Sequence, residues 1–310
     1  MTPASSVLLL TTLTGFGYGL LAWAGLLAAF GLLPPAPLFV PVTVVVALAF
    51  ASGGLMASTL HLGHPERAWR AFTQWRSSWL SREGVASLTT FPPALVFAAL
   101  WWAAGPHAIA TRAFGLLAAC LGLVTVGCTA MIYASLKPIR QWHNPHTLPD
   151  YLLYAVFSGA TLLAAVWALW FGAAEMLAAA ALITALIAAG AKFAYWRFID
   201  TQKPLVTLAS ATGLTAFGTA RPLDRPHFTE NYILREMGYQ VARKHAAKLR
   251  RIAIGLAFFV PALLALLAAF GMAPAVTATA ASLIALAGLL VERWLFFAEA
   301  THVATIYYGR

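Results

Sequence analysis

Eight apolar runs, each about 20 residues long or longer, dominate this chain and narrow what it can fold into. They are Val7–Leu32, Leu38–Leu62, Val85–Ala104, Ala113–Leu136, Tyr151–Phe171, Ala174–Ile199, Ile252–Phe270 and Val276–Phe297. Breakers separate them: Pro34-Pro35-Ala36-Pro37, Gly105-Pro106, Lys137-Pro138, and Gly271 with Pro274. A hydrocarbon core about 30 Å thick is crossed by about 20 residues of helix, which satisfies its own backbone polar groups. The expected fold is therefore all-α, a polytopic membrane protein whose eight transmembrane helices form one integral-membrane domain over residues 1–310. Composition agrees: 61% of the 310 residues are hydrophobic and 10% charged, whereas soluble domains are about a quarter charged. No charged stretch precedes the first run, so it reads as a span and not as a signal peptide.

An even number of spans puts both termini and the even-numbered loops on one face. That face carries Arg67, Arg70, Arg76, Arg82, Lys137, Arg140, Lys203, Arg221, Arg225, Arg235, Arg243, Lys244, Lys248, Arg250 and Arg251. The opposite loops, 33–37, 105–112, 172–173 and 271–275, carry Arg112 alone. The positive-inside rule makes the crowded face cytoplasmic, in a bacterial inner membrane. The competing source of the bias is a docked partner, whose binding arginines would collect on the same face. Loop length follows charge: the large cytoplasmic loops are 63–84, 137–150 and 200–251. The last contains Phe217–Tyr232, rich in Pro, Arg and aromatics, and Gln240–Arg251, which reads as a basic helix leading into the seventh span. A net charge of +10 placed beside spans implies anionic lipid or an acidic partner protein, not nucleic acid. No internal repeat is evident, so the inverted-repeat logic of transporters has little to act on.

His61–Gly84 is unlike its apolar neighbours, with two histidines, four arginines, two glutamates and three tryptophans. His61 ends the second span. A neutral imidazole there suits hydrogen bonding to a quinone carbonyl and proton delivery, or simply caps helix carbonyls at the interface. His64, in the Gly-Pro turn, reads as structural. Glu83 has two readings as well: an acid favoured by the helix dipole with Ser81 as N-cap, or a proton relay at the membrane border. The tryptophans and arginines suit an interfacial belt, but their density also suits protein docking, where Arg and Trp dominate. Arg70, Trp75, Arg76 and Trp79, with Arg140 from the next charged loop, are the candidate docking residues.

Charge also enters the spans, at Lys192, Arg197, Glu292 and Arg293. Such residues pair, face the bundle interior or snorkel. Arg197 is expected to join Asp200 at the interface. Glu292 and Arg293 lie deeper and suit either a polar cavity or an interhelical salt bridge. Cys120 and Cys128 lie eight residues apart on one span, about 12 Å along a helix, too far for a disulfide. With no Cys-x-x-Cys and no four-cysteine set, the chain is not expected to hold an iron–sulfur cluster of its own. Of the eight histidines only His61 and His302 lie at span ends, and nothing else signals a haem, so haem b is not expected.

Ser58-Thr-Leu-His61-Leu-Gly63-His-Pro65-Glu-Arg67-Ala68 followed by Ser77-Ser78-Trp-Leu80-Ser81-Arg-Glu83 resembles the motif of the dimethyl sulfoxide reductase membrane anchor family. Met131-Ile-Tyr133-Ala-Ser135-Leu-Lys137 followed by Trp142, and the eight-span plan, agree with it. The resemblance covers essentially the whole chain, and its most specific part is the first motif. It implies the membrane anchor (the C subunit) in an assembly of three subunits, seated beneath a four-cluster iron–sulfur subunit and a molybdopterin catalytic subunit. It further implies a site for ubiquinone or menaquinone, with the family histidine falling on His61 and the neighbouring acid on Glu83. Arg67, Ser78 and Arg82 complete the candidate quinone-binding set. The anchor would carry the quinone redox site while leaving the terminal substrate to its partner. The cytoplasmic docking face and the Tyr133–Lys137 sequence resemble the anchors of cytoplasmic sulfite dehydrogenases, implying electron flow from sulfite to quinone. The alternatives are the anchor of an S- or N-oxide reductase that oxidises quinol, and a small-solute transporter or membrane scaffold.

Overall fold

The computed structural model describes residues 4–59, 64–202, 204, 206–224 and 241–308. Among them are eight helices long and apolar enough to cross a membrane. These are α1 (Ser5–Ala29), α2 (Phe39–Thr59), α3 (Trp79–Ala104), α4 (Ile109–Ala134), α5 (Thr147–Phe171), α6 (Glu175–Thr201), α7 and α8 (Pro274–Ala298). The helix α7 runs through Val241–Ile254, a π-helical turn at Gly255–Phe259 and Val260–Ala269. No β-strand occurs among the described residues, which hold one isolated bridge between Ile139 and His302. The chain is a multi-pass membrane protein, as its hydropathy implied. Large apolar side chains such as Ile183, Leu186, Ile187 and Phe193 of α6 are exposed, as expected of a surface that faces lipid.

The first helix is the hub. It packs against α2, α4, α5 and α8, and glycine is what lets it do so. A Cβ on Gly159 of α5 would sit 2.1 Å from the carbonyl carbon of Gly19, so the two backbones touch. Without a water-driven force between helices, close contact of this kind is the main source of association in a membrane. Around it lies a continuous core that includes Phe16, Leu20, Phe39, Phe97, Trp101 and Phe157.

Two helices depart from regularity for visible reasons. In α7 the π turn precedes Pro261. A proline ring clashes with the carbonyl four residues back, and a widened turn removes that clash. The widened stretch is also where α8 crosses, because a Cβ on Gly288 would lie 2.1 Å from the amide nitrogen of Ala257. The helix α3 begins six residues before the expected Val85. Ser78 is its N-cap, accepting from the Ser81 amide at 3.4 Å. Ser81 is therefore inside the helix and is not the cap, and Glu83 lies beyond the first turn. The expected loop 63–84 is correspondingly shorter and contains a 3₁₀ helix, Pro65–Gln74.

Gly288→Ala is expected to lower the melting temperature of the detergent-purified protein, because its methyl has nowhere to go. Gly190→Ala, at a helical glycine with open space around it, leaves it unchanged or raises it. Thermal unfolding of the two variants checks this.

Candidate functional site

The charged end of the bundle is built in two layers. The outer layer is the 3₁₀ helix and the turn after it. Three arginines there lie over tryptophans: Arg70 over Trp69 at 5.7 Å, Arg76 over Trp75 at 5.5 Å and Arg82 over Trp79 at 4.2 Å from the ring centre. Trp69 is 61% and Trp75 52% exposed. Arg82 also donates to the Trp75 carbonyl at 2.9 Å and the Arg76 carbonyl at 2.7 Å, so it ties the turn to α3. Phe72 presses on the same helix, where a Cβ on Gly84 would come 2.8 Å from its ring. Arg67 lies 3.7 Å from Glu66, which also faces His64 at 3.0 Å.

The inner layer centres on Glu83. Its carboxylate is 4% exposed and accepts a hydrogen bond from the Thr129 hydroxyl of α4 at 2.6 Å. That hydroxyl is also 3.1 Å from the Thr125 carbonyl, so one proton serves two acceptors. A turn further along α3, Ser87 lies beside Tyr18 of α1, and neither hydroxyl has a hydrogen bond of ordinary geometry. A buried carboxyl with one side-chain partner is suited to exchanging a proton with a group placed next to it. His61 lies outside the described residues, two positions beyond the end of α2, which packs against α3.

Of the sequence candidates, then, Glu83, Ser78, Arg82, Arg70, Trp75, Arg76 and Trp79 come from one unit, the start of α3 and the turn before it. Arg140 is engaged elsewhere. It donates to Gln202 and lines a separate cavity of about 790 Å³ with Thr301 and His302. The His302 Nδ1 accepts from the Ala304 amide at 3.1 Å, and its pairing with His61 falls outside the described residues.

The charges inside the spans form an interhelical salt bridge. Lys192 of α6 pairs with Glu292 of α8, and Arg293 lies 3.3 Å from the same carboxylate. Arg293 also lies over the Tyr151 ring at 3.8 Å and the Tyr154 ring at 4.9 Å. Asp200, at the end of α6, takes its partner from another helix. It takes Arg250 at 2.6 Å, and Arg250 also reaches Glu299 at 2.8 Å, clamping α7 to α6 and α8. The Arg250 guanidinium donates to both Asp200 oxygens, at 2.6 and 3.0 Å, the paired geometry that makes such bridges strong.

Sequence reasoning missed Thr129, which is one of several threonines in an apolar run and carries no mark of its own. It also left open what Tyr133 and Trp142 do. Tyr133 lies 5.2–5.9 Å from the rings of Trp142, Tyr151, Phe296 and Phe297. Trp142 donates to the Phe296 carbonyl at 3.0 Å. These aromatics hold the charged ends of α4, α5 and α8 together.

Residues 6–299 match the family model described as the DMSO reductase anchor subunit, DmsC. The C subunit of sulfite dehydrogenase from Allochromatium vinosum is 34% identical over 330 aligned positions, which cover 99% of each chain. The anaerobic dimethyl sulfoxide reductase chain YnfH of Escherichia coli K12 is 30% identical over 117 residues, 36% of this chain and 39% of that one.

Thr129→Val removes the hydrogen bond and leaves the Glu83 carboxyl buried without it, a loss of about 1–3 kcal/mol. The expected result is a lower melting temperature, restored by Thr129→Ser.

Proposed function

We propose, from the premise that this chain belongs to the DMSO reductase anchor subunit (DmsC) family, that it is the quinone-binding membrane anchor of an oxidoreductase built from three subunits. Its partners are a four-cluster iron–sulfur subunit and a molybdopterin catalytic subunit, and it passes electrons between the former and the quinone pool during sulfite oxidation. The observation that carries this reading is the position of Glu83, a buried carboxyl directly behind an exposed ridge of stacked arginine and tryptophan. The ridge suits an iron–sulfur partner with Trp75, Arg76, Trp79 and Arg70 as anchors. The charge bias of the loops supports a cytoplasmic ridge and cytoplasmic termini.

In this reading His61 hydrogen-bonds one quinone carbonyl and Glu83 serves the reduction as proton donor, held in place by Thr129. Quinone takes two electrons from the iron–sulfur partner and two protons from these groups, giving quinol. Ser78 and Arg82 fix the start of α3 and so the depth of Glu83, while Arg67 adds positive charge at the mouth. Electrons and protons both arrive from the cytoplasm, so the anchor does not itself build a gradient. The sulfite assignment is supported by end-to-end similarity to a sulfite dehydrogenase anchor. The reverse flow, from quinol to an S- or N-oxide, is the second reading, and the partial similarity to a sulfoxide reductase chain favours it. A transporter or bare scaffold is left without support by the family match.

His61→Ala and Glu83→Gln are each expected to lower sulfite-driven quinone reduction by about a hundredfold or more. Sulfite-driven reduction of a soluble dye acceptor should stay at its wild-type rate. Survival of quinone reduction would refute the site. Membranes that reduce sulfoxide with quinol but do not reduce quinone with sulfite would reverse the direction.

A further inference from the structure

The bundle interior holds a second polar system that the quinone site leaves unused. It begins at a cleft of about 190 Å³ lined by Gln141, Asp200, Arg250 and Glu299. One Glu299 oxygen accepts from Arg250 and the other has no hydrogen bond. Next to the cleft is the buried Tyr195, which donates to the Gln141 carbonyl at 3.1 Å and is within electrostatic reach of Glu299, Glu292 and Asp150. About one turn further in lie Lys192 and Glu292, each 1% exposed. Arg293 and the faces of Tyr151 and Tyr154 follow. Beyond them is a cavity of about 20 Å³ lined by Thr12, Thr14, Thr129, Tyr151, Tyr154 and Arg293. Thr129 is the residue that donates to Glu83.

A salt bridge that only joins α6 to α8 needs Lys192 and Glu292. Arg293 adds a second cation on the same carboxylate, and polar atoms are still left over. Thr12 Oγ1, Asp150 Oδ1 and Tyr154 Oη are buried without a hydrogen bond among the described residues, while Glu292 Oε2 and Tyr151 Oη have only the Arg293 guanidinium beside them. Each such atom costs about 1–3 kcal/mol, and folded proteins hold few of them. Here three gather around Arg293 and the small cavity beside it. The cavity among them is large enough for one water, which takes two to four polar partners.

We propose that this line is a proton path that recharges Glu83 from the cleft at Glu299. The proposal rests on the quinone-site reading and deepens it. A partner seated on the arginine–tryptophan ridge covers the direct route from solvent to Glu83. A path entering between α6, α7 and α8 stays open because it starts on other elements. The step balances simply. Quinone gains two electrons from the reduced iron–sulfur partner and two protons, one of them from Glu83. Glu83 then regains its proton through the hydroxyls and water, with no bond changed other than hydrogen bonds and O–H bonds along the line.

The test uses the whole complex in liposomes, with reduced methyl viologen as electron donor and decylubiquinone as acceptor, so that it does not depend on the terminal substrate. The variant is the pair Tyr151→Phe with Tyr154→Phe, which removes both hydroxyls and keeps the rings over Arg293. Glu83→Gln is measured alongside. Expected are an unchanged melting temperature and a quinone reduction rate reduced about tenfold for the pair. That rate should slow further in D₂O and recover when azide is added as a small proton carrier. A wild-type rate in the pair with an inactive Glu83→Gln overturns the path and leaves the quinone site standing. A slow pair that is indifferent to D₂O and azide also overturns it, as a packing effect. Wild-type rates in both variants overturn the quinone site and the path with it.

Discussion

One hydroxyl, that of Thr129, is the side-chain hydrogen-bond partner that Glu83 finds among the described residues. Much of the charged end follows from accommodating that carboxyl. Ser78 starts α3 early enough to carry Glu83 past the exposed first turn. Arg82 and Phe72 then fasten the preceding turn against the same helix. The result puts an acid behind a surface of arginine and tryptophan, without exposing it to that surface. A bilayer tolerates buried charge only when it is paired or functional. Among the described residues Glu83 faces a threonine and has no ion-pair partner, which is why it stands out from Glu292, which has Lys192 and Arg293.

The architecture that holds this end in place is made of contacts with no chemistry in them. Glycines let α1 touch α5 and let α8 touch the π turn of α7. Those contacts bring the threonines of α1, the tyrosines of α5 and the arginine of α8 around one small cavity. Polar groups from several helices meet there because the backbones approach closely enough.

Much of the fold was legible in the sequence because hydropathy alone marks a span. Each of the eight apolar runs contains a helix long enough to span, and the interhelical reading of Glu292 held. The boundaries failed where polar and aromatic residues begin a helix, as Trp79, Ser81, Arg82 and Glu83 do in α3. The signal there was the capping serine, and Ser81 competed with Ser78 for that part. Pairings were not legible for a different reason. Asp200 pairs with Arg250, on another helix, and nothing local announces a contact made by tertiary packing. Thr129 was invisible for the same reason. His61 lies outside the described residues, so its role rests on the motif it shares with the family.

The central claim is that a quinone sits against Glu83 behind the ridge. Photolabelling of the intact complex with an azidoquinone, followed by peptide mapping, tests it most directly. The label is expected on the peptide that contains Glu83, with Thr129 as the second site, and an excess of unlabelled quinone should prevent it. Label confined to α6 and α7, or to the opposite loops around Pro34 and Pro106, would contradict it.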